Sequence, residues 1–271
     1  MHPILFKVGN FTLYSYGLMF FTSFLVGIFI TLRRTKRFGL GAAKTADFIF
    51  YCLLAVLVGS RLLYVVLHWD EFSNDLIGII AIWRHGLTGL MFYGGWIPGL
   101  VVGFLFVKLN RIPAPKMLDA IMVPTLLGEG LTRIGCFLNG CCFGKPTASF
   151  VGVKFPLNSP AGATFPGQAI HPTQLYSSLA GFLLFGVALW LERRWRPKPG
   201  VLSAVMLVLY SLFRFGIDFV RYYENAANYW WNQAASLLAA VAGVVLLVIY
   251  QRRPWVKSDA GRPVGAGGSA G

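Results

Sequence analysis

Charge is scarce in this sequence. Of its 271 residues, 13% are Asp, Glu, Lys or Arg, and only ten are acidic; a soluble domain carries about a quarter charged residues. That shortage excludes an ordinary water-soluble domain and a charged disordered chain. Cysteine is also sparse, with four in the chain, and only four His accompany them. No pair of two-Cys knuckles is present, so spacing alone assigns no zinc site. Internal repeats are missing, which argues against a transporter built from duplicated halves. No basic stretch precedes the first apolar run and no small-residue cleavage site follows it, so no cleavable signal peptide is expected.

Hydrophobic residues fill the gap, at 56% of the chain. They fall into runs of about 20 residues, the length that crosses a bilayer core as a helix. Seven spans are expected, near Tyr14–Leu32, Ala46–Leu67, Gly89–Val107, Met117–Leu138, Thr173–Leu191, Val201–Val220 and Gln233–Tyr250. The third and fourth are the least regular, being Gly-rich and interrupted by Pro98 and Pro124. The expected fold class is an all-α polytopic bundle.

A net charge of +14 invites a nucleic-acid reading. The positions of the charges argue against it, because most Lys and Arg sit between alternate apolar runs. One group is Arg33, Arg34, Lys36, Arg37 and Lys44; others are Lys108, Arg111 and Lys116, then Arg193, Arg194, Arg196 and Lys198, and finally the C-terminal basic residues. These segments are expected to face the cytoplasm, and seven spans with the N-terminus outside satisfy the alternation. Residues 1–255 then form one bundle with a periplasmic loop over 139–172, and 256–271 form a flexible cytoplasmic tail. The location implied is a bacterial inner membrane.

Ionisable residues within spans are expensive and therefore candidates for function. They are Arg61, Asp119, Glu129, Arg133, Arg214 and Asp218. Asp119, near a cytoplasmic end, is read as solvated. Arg214 and Asp218 stand four apart, as do Glu129 and Arg133, so each pair shares a helix face. Two readings stand for these pairs: ion pairs that lock helices, or guanidinium groups held ready for a lipid phosphate. With Arg61 and Arg221 added, the arginines exceed the acids available to them, and an anionic lipid headgroup would balance the excess.

Other stretches carry polar groups at span ends. Tyr93 lies among glycines in Gly89-Leu-Met-Phe-Tyr-Gly-Gly95, which suits close helix packing or a ligand. Cys136, Cys141 and Cys142 cluster after Arg133; a disulfide and free thiols are equally open, with metal ligation a less favoured third reading. His171-Pro-Thr-Gln174-Leu-Tyr176 opens the fifth span, either as an interfacial belt or toward a cavity.

Six segments in order resemble the prolipoprotein diacylglyceryl transferase family over nearly the whole chain. Tyr16-Gly-Leu-Met resembles the family's opening motif. Gly59-Ser-Arg61-Leu-Leu-Tyr64 is similar to Gly-x-Arg-x-x-Tyr, and residues 89–95 to Gly-Met-Ser-Phe-His-Gly-Gly. Arg133-Ile-Gly-Cys136-Phe-Leu-Asn139-Gly-Cys141, closed by Gly144, resembles the signature Arg-x-Gly-Asn-Phe-x-Asn-x-Glu. His171 to Tyr176 is similar to His-Pro-x-Gln-Leu-Tyr, and Arg214 to Arg221 to Arg-Phe-x-x-Glu-Phe-x-Arg. The chain departs at Tyr93, where the family commonly has His, at Cys136 for Asn, at Cys141 for Glu and at Asp218 for Glu.

The resemblance implies transfer of a diacylglyceryl group from phosphatidylglycerol to the lipobox cysteine of a preprolipoprotein signal peptide, with membrane lipid as surroundings and no cofactor or metal. It assigns Arg133 and Arg214 to the departing phosphate, with Asp218 and Glu129 orienting them. Arg61 and Arg221 are secondary phosphate candidates. Asn139, Gly144, His171, Gln174 and Tyr176 would position substrate, and Tyr16 and Tyr93 would line the cavity. A phenol titrates near about pH 10, so Tyr93 is a poor base and serves as a hydrogen-bond donor. The alternatives are a diverged paralogue that transfers another lipid and a non-enzymatic anion or lipid carrier.

Overall fold

The computed structural model describes residues 4–8, 11–73, 75–80 and 92–252. The expected tail over 256–271 and residues 89–91 of the third expected span lie outside them. Five helices are long and apolar enough to cross a membrane: α1 (Ser15–Arg37), α2 (Ala42–Leu67), α6 (Ala114–Asn139), α8 (Thr173–Trp195) and α10 (Ala226–Arg252). Two further expected spans are shorter apolar helices, α5 (Phe92–Leu109) and α9 (Val201–Ile217). Pro98 and Pro124 sit inside α5 and α6 without breaking them. Between α2 and α5 lie the short α3 (Trp69–Phe72) and α4 (Leu76–Ile80).

The chain is not wholly helical. An antiparallel hairpin of β1 (Ile4–Val8) and β2 (Phe11–Tyr14) precedes α1. A two-stranded pair, β3 (Val153–Lys154) and β4 (Ala169–Ile170), flanks the short α7 (Pro160–Thr164). Strands this short leave no mark on a hydropathy reading built from runs of about 20 residues. The segment from Cys141 to Pro172 has a small apolar core of Phe143, Phe155, Ala161 and Ile170, against which Phe165 and Tyr222 pack. It folds over the end of the bundle where α6 finishes and α8 begins.

Helix α6 is central, packing against α1, α8 and α9, while α5 rests on α2 and α10 on α9. Small residues set the closest approaches. A Cβ on Gly181 would lie 2.7 Å from the backbone nitrogen of Gly130, so α6 and α8 meet backbone to backbone. Ser178 Oγ donates to the Gly130 carbonyl at 2.8 Å at the same crossing. Such contacts replace the hydrophobic drive that apolar surroundings cannot supply. The outward faces are apolar and exposed, as at Phe50, Val66, Phe104, Leu183 and Leu238.

At the opposite end Asp119 corrects the sequence expectation. It is buried, and its carboxylate accepts the backbone N–H groups of Gly200 at 2.7 Å and Ser203 at 2.8 Å. Those donors open α9, whose first N–H groups have no partner within the helix, so an acidic side chain from α6 caps them. Arg34, also buried, donates to the Asp119 carbonyl at 3.1 Å and to both oxygens of Glu192 on α8 at 2.8 and 3.1 Å. Asp119 is thus a structural clamp, with no solvated role.

Candidate functional site

Helix α6 ends in a way that fixes the site. Gly140 takes φ +74°, and the N–H groups of Gly140 and Cys141 return to the carbonyls of Phe137 (3.2 Å) and Cys136 (3.1 Å). This is the Schellman closure, which needs a residue free to enter the left-handed region. The chain then passes through Cys142, a non-glycine residue at φ +57°. Thr173 Oγ1 donates to the Cys142 carbonyl at 2.8 Å, and Gln174 Nε2 to the Cys141 carbonyl at 2.7 Å, so the start of α8 holds the turn in place.

Three thiols converge there. The sulfurs of Cys136, Cys141 and Cys142 all lie within 4.8 Å of one another, and none is in a disulfide. The Cys141 thiol donates to the Cys136 carbonyl at 3.7 Å. The Cys142 thiol is pushed well below the ordinary thiol range. Hydrogen bonds from Cys136 and Cys141 do most of this; the Arg221 and Arg133 guanidiniums add to it against the opposing effect of burial.

A cavity of about 530 Å³ opens between α1, α2 and α6. Along most of its length the wall is apolar, with Phe20, Phe24, Ile28, Ile49 and Ile121 among its residues. Its polar end carries Tyr16, Glu129, Arg133, Cys136 and Cys142. Arg133 Nε donates to Glu129 Oε1 at 2.8 Å, as the four-residue spacing predicts. Its two Nη groups have no hydrogen-bond partner among the described residues. Tyr210 Oη on α9 donates to the same Glu129 oxygen at 3.2 Å.

Arg214 is ion-paired with Asp218, again four residues apart, and Asp218 is fully buried. Tyr223 Oη donates to Asp218 Oδ1 at 2.7 Å and accepts from Arg214 Nη2 at 3.1 Å, while Asn232 Oδ1 on α10 accepts from Arg214 at 3.3 Å. Burial, and then the bond to Asp218, hold the Tyr223 phenol above its ordinary range. Past Asp218 the chain leaves α9 to bridge Arg221 with Gly144, which is why this helix stops before the expected Val220. Gly144 is required there: a Cβ would lie 2.6 Å from His171 Cβ and 2.8 Å from the Val220 oxygen. His171 Nδ1 and Tyr176 Oη are 3.2 Å apart beside this bridge.

Most site residues expected from sequence therefore gather at one end of the bundle. Arg61 is directed elsewhere. It is buried, donates to the carbonyls of Gly78 (2.7 Å) and Ile79 (3.0 Å), and stacks over Phe72. Tyr93 begins the second residue of α5, and its side chain lies outside the described residues. The sequence reading missed Tyr210, Tyr223 and Asn232, whose partners come from other helices or from beyond a turn.

A family model described as prolipoprotein diacylglyceryl transferase matches residues 3–249. The chain belongs to that family. A Clostridium tetani protein named phosphatidylglycerol–prolipoprotein diacylglyceryl transferase is 31% identical over 221 residues, covering 82% of this chain and 86% of the relative. Proteins of the same name from Finegoldia magna (29% identical, 96% of this chain and 99% of the relative) and Chromohalobacter salexigens (30%, 93% of each) match almost end to end. Cys136 and Cys141, which stand where the motif the chain resembles has Asn and Glu, are two of the three thiols that the end of α6 brings together.

Proposed function

We propose that this chain transfers the diacylglyceryl group of phosphatidylglycerol to the lipobox cysteine of preprolipoproteins, in the bacterial inner membrane, the first step of lipoprotein maturation. The observation that carries the reading is Arg133 at the polar end of the apolar-walled cavity, with Nε fixed by Glu129 and both Nη groups without a partner among the described residues. An acyl-chain donor needs an apolar slot, and its headgroup needs a cation at the end of that slot.

In this reading the lipobox thiolate attacks the glyceryl carbon next to the phosphate. The C–O bond breaks, and glycerol phosphate leaves with the electron pair. Charge gathers on the departing phosphate, and donors already fixed in place stabilise it without reorganising. Arg133 presents two such donors toward the cavity. Arg214, held by Asp218 and Tyr223, supplies positive potential from α9. His171 and Tyr176 shape the side by which the peptide approaches, while Gln174, fully buried, holds the Cys141 turn in place. The relatives' names support the donor and the acceptor class. We further infer seven spans with the N-terminus periplasmic, so that the turn at 139–144 faces the outer leaflet. Basic side chains of α1 and α8 gathered at the Asp119 end support that orientation.

The test is to follow a headgroup-labelled phosphatidylglycerol. Label is expected to appear as free glycerol phosphate only when a thiol-bearing lipobox peptide is present, in equal amount to lipidated peptide. Label crossing a vesicle wall with the lipid intact would instead identify a carrier.

A further inference from the structure

We propose that Cys136, Cys141 and Cys142 bind a thiophilic divalent cation of the zinc type, leaving its fourth position for the substrate's thiol. This rests on the transferase reading for the identity of that fourth ligand, though not for the site itself.

The geometry fits the donor set. Zinc–sulfur bonds are about 2.3 Å, which in a tetrahedron places sulfurs about 3.8 Å apart. Here three sulfurs already lie within 4.8 Å of one another, so small rotations about χ1 close the triangle. The backbone is held for this convergence. Cys142 sits in the left-handed region that non-glycine residues avoid, and the Cys141 and Cys142 carbonyls are tied to Gln174 and Thr173. Strained backbone that its surroundings over-determine is found at functional sites. Arg133 lines the same cavity as Cys136 and Cys142 and would offset part of the net negative charge of three thiolates around one divalent ion.

The placement gives the site a task. Zinc sites that do chemistry keep three protein ligands and one open position. Cys136 and Cys142 line the cavity beside Arg133, so a thiol on that fourth position would lie next to the phosphate to be displaced. The reaction needs a thiolate nucleophile, and Tyr93 is no base for making one. A thiol that coordinates such an ion is deprotonated outright. The lipobox S–H proton passes to water, the metal-bound sulfur forms the S–C bond to the glyceryl carbon, and the C–O electron pair departs on glycerol phosphate.

The experiment titrates the purified, reduced full-length protein in detergent with cobalt(II), a spectroscopic stand-in for zinc. We expect one cobalt per chain and near-ultraviolet sulfur-to-cobalt bands that zinc(II) abolishes by displacement. Cys136→Ser and Cys141→Ser should each lose those bands, while Cys52→Ser, in α2, keeps them. A lipobox peptide should raise the band intensity in the proportion of four thiolates to three, and the same peptide with Ser for Cys should not. No bands, or bands indifferent to the Cys136 and Cys141 substitutions, would overturn the site. Bands that respond identically to the Cys and Ser peptides would overturn its role toward substrate. The spectra report the site whether or not thioether forms, so intact spectra without product would count against the transferase reading alone.

Discussion

One oxygen of Glu129 accepts hydrogen bonds from both Arg133 and Tyr210, at 2.8 and 3.2 Å. The cavity arginine of α6 is thereby fixed to its own helix and, through the shared carboxylate, to α9. Removing the charge while keeping the shape separates the two roles. Glu129→Gln is expected to lower kcat/KM for diacylglyceryl transfer by about tenfold to a hundredfold, since hydrogen bonds to charged groups are worth about 1.5–3 kcal/mol. Tyr210→Phe is expected to cost about tenfold, the low end of the same about 1.5–3 kcal/mol range, because its bond to the carboxylate is the longer one and Arg133 keeps its own. Steady-state kinetics on the two variants check the order; a larger loss in Tyr210→Phe would contradict it.

The Arg214–Asp218 pair makes a stability prediction. Asp218 is fully buried and shares one oxygen with Arg214 and Tyr223. Asp218→Ala leaves a guanidinium with no acid in low dielectric, an uncompensated charge that costs about 3–5 kcal/mol. A marked fall in the thermal midpoint in detergent, together with lost activity, is expected. Asp218→Glu should recover much of both.

Tyr223 gives the pH dependence. Its phenol is held above its ordinary range by burial and by donation to Asp218. The neutral form is therefore favoured in the folded protein. Its contribution is complete below the ordinary tyrosine value and is lost only as pH rises through the higher folded one. Activity is expected to show no decline attributable to Tyr223 between about pH 7 and pH 9. Tyr223→Phe should lower activity evenly across that window, and a profile that converges with wild type by pH 9 would contradict this.

Arg61, a secondary phosphate candidate by resemblance, is bound to the carbonyls of α4. Arg61→Gln is expected to speed amide hydrogen exchange in residues 76–80 and to leave the KM for phosphatidylglycerol within a few-fold of wild type. A KM increase of tenfold or more with unchanged exchange would return Arg61 to the phosphate.

These outcomes follow the line between what hydropathy and spacing can express and what they cannot. Long apolar runs and four-residue ion pairs are local, and both were legible: five spanning helices, Glu129 with Arg133, Arg214 with Asp218. Asp119 is misjudged from sequence because its capping of α9 depends on residues 81 and 84 positions apart meeting in space. Tyr223 and Asn232 reach Arg214 from beyond a turn and from α10, and no spacing rule joins them. The thiol cluster was visible as a run of cysteines. Its convergence was not, because that depends on a left-handed turn at Gly140 and Cys142 and on anchors from α8. Family resemblance brought forward residues such as Gly144, whose need for glycine lies in a contact with His171.

The central claim is that Arg133 stabilises the leaving phosphate of a lipid seated in the cavity between α1, α2 and α6. Its most direct test is a mass-resolved assay of the purified protein with phosphatidylglycerol and a lipobox peptide, beside Arg133→Ala. The account predicts a diacylglyceryl mass on the peptide cysteine with wild type, and a rate about 10²- to 10³-fold lower in the variant, the usual effect of losing one preorganised donor at a developing anion. An equal rate in Arg133→Ala, with the variant folded, would contradict it.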